Sequence, residues 1–145
     1  MAYTKIIPIR ARLDKAVNYA LNKEKTGLGN ALEYITNPEK NMGDDTAYET
    51  AINCTLENPY KDMIHTKKAY EQTDGVLGYH IIQSFMPNEV SAENAHKIGV
   101  EFAYRCFGTK YEIVVSTHLD RHHYHNHIIL NSVFSIKFFI FWIIW

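Results

Sequence analysis

Little in this 145-residue chain holds it together covalently, and what is scarce narrows its class. There are two cysteines, Cys54 and Cys106, far apart and with no Cys-x-x-Cys between them. A disulfide-stapled secreted scaffold and a cysteine-based zinc finger are both excluded, and reduced thiols in a cytoplasmic protein are expected. The N-terminus has no long apolar stretch of the signal-peptide kind. Formal net charge is −1, so composition carries no nucleic-acid signature. Four prolines and seven glycines are too few for a linker or low-complexity chain. The length suits one domain around one core.

Charge and histidine, by contrast, are unevenly placed. Residues 1–25 hold six basic side chains (Lys5, Arg10, Arg12, Lys15, Lys23, Lys25) against Asp14 and Glu24. Such a patch suits phosphate contacts, although on its own solvated surface is the favoured reading. Five of the eight histidines fall between His118 and His127. An apolar β-branched run (Ile113, Val114, Val115) leads in and another (Ile128, Ile129, Leu130) leads out, which predicts two strands joined by a polar loop over 119–124, without an Asn-Gly turn. Side chains alternate faces along a strand, so His125 and His127 point the same way, with His118 opposite them if the register allows. Three imidazoles on one face with an open side suit a metal site used for chemistry rather than structure. Asp120 lies near enough in sequence to orient a ring, and His122 and His123 are the ligands in a different register. A tag would not be interleaved with strand formers in this way.

The rest of the chain supplies the frame. Thr4–Ile9 reads as a first strand that Pro8 pushes to a sheet edge or strand end. Residues 16–25 are repeated at 31–40, each copy a short helix with a tyrosine, so Tyr19 and Tyr34 are two candidates for one functional position. A short strand around Ile52-Asn53-Cys54 and a helix near 59–71 follow. Gly78–Phe85 is a strand closed by Pro87, and Ser91 caps a helix running to Phe107, with Gly108 as its stop. Ala95, Ile98, Phe102 and Cys106 are expected to face the sheet. The order predicts an α+β fold, an antiparallel β-sheet covered by helices. His80 sits mid-strand, facing the histidine surface or buried as a core residue, and Gln83 and Ser84 are neutral contacts for a phosphate or base. Residues 134–145 form an intensely apolar string, too short to span a bilayer and an aggregation hazard if exposed.

Three stretches together resemble one family. Met1–Arg10 followed by Asp14–Tyr19 and Lys23–Thr26, then Tyr79–Phe85, then Thr117–Asp120 with His125-Asn126-His127 and Asn131-Ser132-Val133, are similar to the three motifs of relaxases. These are mobilisation endonucleases of the MobP-like branch of the HUH endonuclease superfamily. The resemblance covers 1–133 in the family's order, making that span the relaxase domain. Residues 134–145 become a tail outside it, and the fold is expected to be incomplete at the C-terminus. The literal His-Asn-His string is not an HNH nuclease motif, which spreads its letters across a longer unit.

The resemblance implies strand-specific nicking and rejoining of DNA at an origin of transfer, in conjugative mobilisation. Tyr19 (or Tyr34) would be the nucleophile, forming a 5′-phosphotyrosyl link. Asp120 would orient a ligand or assist proton transfer. His118, His125 and His127 would hold one divalent ion, Mn²⁺ or Mg²⁺ in the family, with Zn²⁺ or Ni²⁺ also suited to imidazole. Lys5, Arg10, Arg12, Lys25, His80 and Gln83 are the expected DNA contacts. Accessory mobilisation proteins are implied and a small-molecule cofactor is not. Two other readings follow from the residues: an inactive fragment retaining metal or DNA binding, and a membrane-associated interaction protein using the apolar tail.

Overall fold

The computed structural model describes residues 2–22, 48–119 and 123–134. They form β1 (Tyr3–Ile9), α1 (Leu13–Ala20), β2 (Glu49–Ile52), α2 (Pro59–Ala69), β3 (Gly78–Ser84), α3 (Ala92–Phe107), β4 (Tyr111–His118) and β5 (His125–Phe134). The five strands make one sheet in the order β1-β3-β5-β4-β2, with every neighbouring pair antiparallel. This is the α+β architecture expected, and Pro8 does lie in an edge strand. The β4–β5 hairpin opens at the expected loop, where His118 pairs with His125. Among the described residues no helix is long and apolar enough to cross a membrane. β5 runs one residue past the expected domain boundary, and 135–145 lie outside the described residues, as does the second repeat copy with Tyr34.

Alternation along the strands gives the sheet two apolar faces, each covered by helix. On one face Ile9, Val114 and Ile129 pack with Leu13, Val17 and Ala20 of α1 and Met63 of α2. Leu13, Val17 and Ala20 recur at four and three residues, so α1 buries a single stripe. On the other face Ile81, Ile113, Val115, Ile128 and Leu130 pack against Ala103 of α3, with Val100, Phe102 and Phe107 at the margin. At roughly 1.5–3 kcal/mol for each fully buried large aliphatic side chain, these two layers dominate the stabilisation.

Local signals set the element ends. Asn58 caps α2 by accepting from the Lys61 amide at 3.0 Å, and Ser91 caps α3 by accepting from the Asn94 amide at 3.2 Å. Asn53, in the left-handed region at φ 61°, ends β2. Its amide donates to the carbonyls of Gly108 and Tyr111 at 2.7 and 2.8 Å. Gly108 stops α3 as expected but for another reason. Its backbone is right-handed, and a Cβ there would lie 2.6 Å from Cα of Tyr104, so close approach rather than positive φ demands glycine.

Two expectations are corrected. The first repeat copy is helical over Leu13–Ala20, starting earlier and ending sooner than the repeated stretch. More important, α3 buries Ala95, Gly99 and Ala103, while Cys106 is exposed and Ile98 keeps 39 % of its surface. The helix lies so close to the sheet that only small residues fit the contact line, and the bulky ones are displaced to its flanks.

Candidate active site on the histidine face

The pairing register decides which side chains share a face. His118 lies opposite His125, His127 opposite Ser116 on β4 and Ile82 on β3, and Ile82 opposite Lys5 on β1. Cross-strand partners project to one side, so His118, His125 and His127 all stand on the α1 face, and His80, two residues from Ile82, joins them. The rings gather closely. Centroids of His118 and His127 are 4.0 Å apart, those of His80 and His127 5.0 Å, and those of His125 and His127 6.3 Å. The His123 ring lies tilted against that of His125, their centroids 4.3 Å apart.

Tyr19 arrives from α1. Because Val17 and Ala20 are buried, the residue between them on the helix flank turns to the rim. There its ring meets His118 and His127 edge-on at 5.4 Å each and His80 at 6.5 Å, while 47 % of the residue remains exposed. A hydrogen bond fixes this approach: His118 Nε2 donates to the carbonyl of Ala20 at 2.9 Å. That carbonyl belongs to the last turn of α1, where helix carbonyls lack intrahelical partners. Since a carbonyl only accepts, His118 carries its proton on Nε2, and the lone pair of the neutral ring is on Nδ1.

His80 and His127 are coupled as well. His80 Nε2 and His127 Nδ1 are 2.7 Å apart, so one donates and the other accepts and the contact holds a single proton. Burial, and secondarily the nearby His118, holds His80 below the usual histidine pKa. Ser116, opposite His127, keeps a buried hydroxyl with no hydrogen-bond partner among the described residues. A buried hydroxyl is costly unless satisfied, so this spot suits a further polar ligand.

In donor type and in face the set suits a divalent ion: imidazoles from both strands of one hairpin beside the Ser116 hydroxyl. The ring nitrogens are engaged with one another and with Ala20, and among the described residues no three His, Cys, Asp or Glu side chains surround a common point. Asp120 and His122 lie outside the described residues.

The expected DNA contacts are dispersed. Lys5 is exposed on the histidine face of β1, and Arg10 is exposed in the turn after it. Arg12 is tied to Asp14 by two hydrogen bonds of 3.0 and 2.7 Å, which hold the Asp14 carboxyl down to about 2. His80 belongs to the ring cluster. Gln83 is on the opposite face, buried, its side-chain carbonyl accepting from Asn126 at 2.9 Å. Lys25 lies outside the described residues. Two features went unnoticed in the sequence: the pairing of His80 with His127, and a polar network behind the site that includes His96. The signal for the second was available, since Thr117 and Asn126 put polar groups on the face of their strands that should be apolar.

The described site is thus an antiparallel sheet bearing a histidine hairpin, with a helix-borne tyrosine laid against it. Comparison with known proteins gives the family. The model of the MobA/VirD2-like relaxase nuclease domain matches residues 34–138, so the chain belongs to that family. It is 33 % identical over 167 aligned positions to the group II intron-interrupted relaxase LtrB of Lactococcus lactis subsp. cremoris, covering 91 % of this chain and 30 % of that protein. It is also 38 % identical over 94 positions to a protein rlx of Staphylococcus aureus, covering 64 % of this chain and 29 % of that one. The chain thus spans under a third of the length of these curated relatives. No solved structure matches it.

Proposed function

We propose that the chain nicks one DNA strand at an origin of transfer, with Tyr19 as nucleophile, in the mobilisation of a plasmid or integrative element. The observation that carries this reading is the edge-on seating of Tyr19 against His118 and His127, 5.4 Å from each, although the tyrosine and the histidines lie some hundred residues apart in sequence. In the reaction the Tyr19 phenolic oxygen bonds to phosphorus as the bond from phosphorus to the 3′ oxygen breaks. The phenolic proton passes to an imidazole of the cluster, and the departing oxygen takes up a proton to become a 3′-hydroxyl. The 5′ end stays esterified to tyrosine, so the bond energy is retained and rejoining needs no ATP.

His118, His125 and His127 are the proposed holders of one divalent ion, Mn²⁺ or Mg²⁺, with Asp120 orienting a ligand. Such an ion, when bound, draws charge from the non-bridging oxygens of the phosphate under attack. Lys5 and Arg10, both exposed, are the proposed neutralisers of flanking phosphates, and DNA affinity should therefore fall as salt rises. Accessory mobilisation proteins acting in the cytoplasm complete the reading.

The test is nicking of a supercoiled plasmid carrying the cognate origin, with Mn²⁺ added. Tyr19→Phe should abolish the nicked product and Tyr34→Phe should leave it. The reverse outcome assigns the nucleophile to Tyr34. Metal and DNA binding without nicking by the wild-type chain would make it a binding fragment rather than an enzyme.

A further inference from the structure

Behind the histidines, on the α3 face, lies a polar row with no role in the chemistry above. Thr117 on β4 is paired in register with Asn126 on β5, and Asn126 with Gln83 on β3. All three are buried. Thr117 Oγ1 donates to Asn126 Oδ1 at 2.7 Å, and Asn126 Nδ2 donates to Gln83 Oε1 at 2.9 Å and to the Ala95 carbonyl of α3 at 2.7 Å. His96 of α3 closes the row. Its Nδ1 is 2.9 Å from Thr117 Oγ1 and its Nε2 2.8 Å from Thr50 Oγ1 on β2. The proton directions are then fixed. The Thr117 hydroxyl spends its hydrogen on Asn126, so it accepts from His96 Nδ1, and Nε2 of the neutral ring accepts from the Thr50 hydroxyl. The chain links β2, α3, β4, β5 and β3, and no partner in it is interchangeable with another.

Position gives this network its significance. Thr117 immediately precedes His118, and Asn126 stands between His125 and His127, so the row lies between the two histidine-bearing rows on the reverse of the same strands. A one-residue slip of β4 on β5 would turn the histidines to the wrong face. A two-residue slip keeps the faces and on the α3 side still sets an apolar pair together, Ile113 with Ile128 or Val115 with Leu130. Such a slip would set His118 opposite His127 or His123 in place of His125, giving a different ligand set. It would also set Asn126 opposite Val115 or Leu119, or Thr117 opposite Ile128 or Tyr124, leaving buried amide and hydroxyl groups unmatched at about 1–3 kcal/mol each. The polar row therefore discriminates between registers that the apolar packing does not.

We infer that His96, Thr117 and Asn126 are positioning residues: the hydrogen-bonded row they form with Gln83 selects the strand register that presents His118, His125 and His127 together, and anchors it to α3. This rests on the proposed role of those histidines in holding a divalent ion.

The test is Mn²⁺ affinity of the full chain without DNA, by titration calorimetry well below the melting temperature, with metal-free thermal melts in parallel. Thr117→Val removes the hydroxyl at nearly constant shape, and Thr117→Ser returns it. Thr117→Val is expected to weaken Mn²⁺ binding by roughly 10- to 100-fold, the range for loss of supporting groups around metal ligands, with Thr117→Ser close to wild type. His96→Gln, on the helix rather than the strands, should weaken it in the same direction and serves if Thr117→Val fails to fold. A lowered melting temperature with unchanged Mn²⁺ affinity in Thr117→Val, or in His96→Gln where Thr117→Val does not fold, would overturn the inference while leaving the metal site intact. A wild-type chain that binds no Mn²⁺ would overturn both.

Discussion

Outside the histidine face, His96 carries a pH dependence of its own. Burial pushes its pKa down to about 4. The ring packs beside Tyr48 at 5.8 Å and hydrogen-bonds two threonines, with no carboxylate among these partners. In the unfolded chain the same histidine titrates near 6.5. Below that value the unfolded state takes up a proton that the folded state refuses, so stability falls as pH drops from about 6.5 toward about 4. His96→Gln lacks this group, and its denaturant midpoint should decline less steeply than that of wild type across this window. Parallel profiles for the two chains would contradict the assignment. Tyr19 presents the opposite case. Half-exposed and outside the core, it should accept Tyr19→Phe with a stability change within about 0.5 kcal/mol, measurable by urea unfolding.

At the scale of elements, the approach of α3 to the sheet is set by residues without bulk. A Cβ at Gly99 would lie 2.5 Å from Asn126 Nδ2, an atom held by hydrogen bonds on both sides. Helix propensity alone favours Gly99→Ala by about 1 kcal/mol. Overpacking against a pinned side chain costs typically 1–3 kcal/mol. The clash should win, and Gly99→Ala is expected to lower the melting temperature. A rise would mean that α3 can lift from the sheet at little cost. Ile129→Ala, in the fully buried layer beneath α1, should cost about 2–5 kcal/mol, more than any substitution on the flank of α3 such as Ile98→Ala.

These same elements mark how far the sequence could be read. The strands were legible because β-branched runs bounded by polar residues have few other interpretations, and the histidine hairpin because period-two alternation puts its rings on one side. The face of α3 was not legible. Bulk suggested Ile98 and Cys106 as buried, whereas close packing selected Ala95, Gly99 and Ala103, and interhelix-to-sheet distance is not written in hydropathy. The coupling of His80 to His127 depends on the β3–β5 pairing, which joins residues 47 apart. No local pattern encodes such a pairing. His96 itself carried no signal on its amphipathic helix, although Thr117 and Asn126, polar on a strand face that should be apolar, marked the network it joins.

For the molecule as a whole, the two sheet faces divide the labour. One carries the imidazoles and receives Tyr19 from α1, and the other, through α3 and the polar row, holds the strands in register. Under the proposed function this division has a purpose, because a tyrosine that is to form a covalent bond to DNA must meet its phosphate in line and at fixed depth. The most direct measurement is the site of covalent attachment. The chain is incubated with Mn²⁺ and a single-stranded oligonucleotide spanning the cognate nick site, the adduct is digested, and the modified peptide is sequenced by mass spectrometry. The phosphate is expected on Tyr19, with the adduct lost in Tyr19→Phe and formed normally in Tyr34→Phe. A phosphate on Tyr34, or on a histidine of the cluster, would contradict the account.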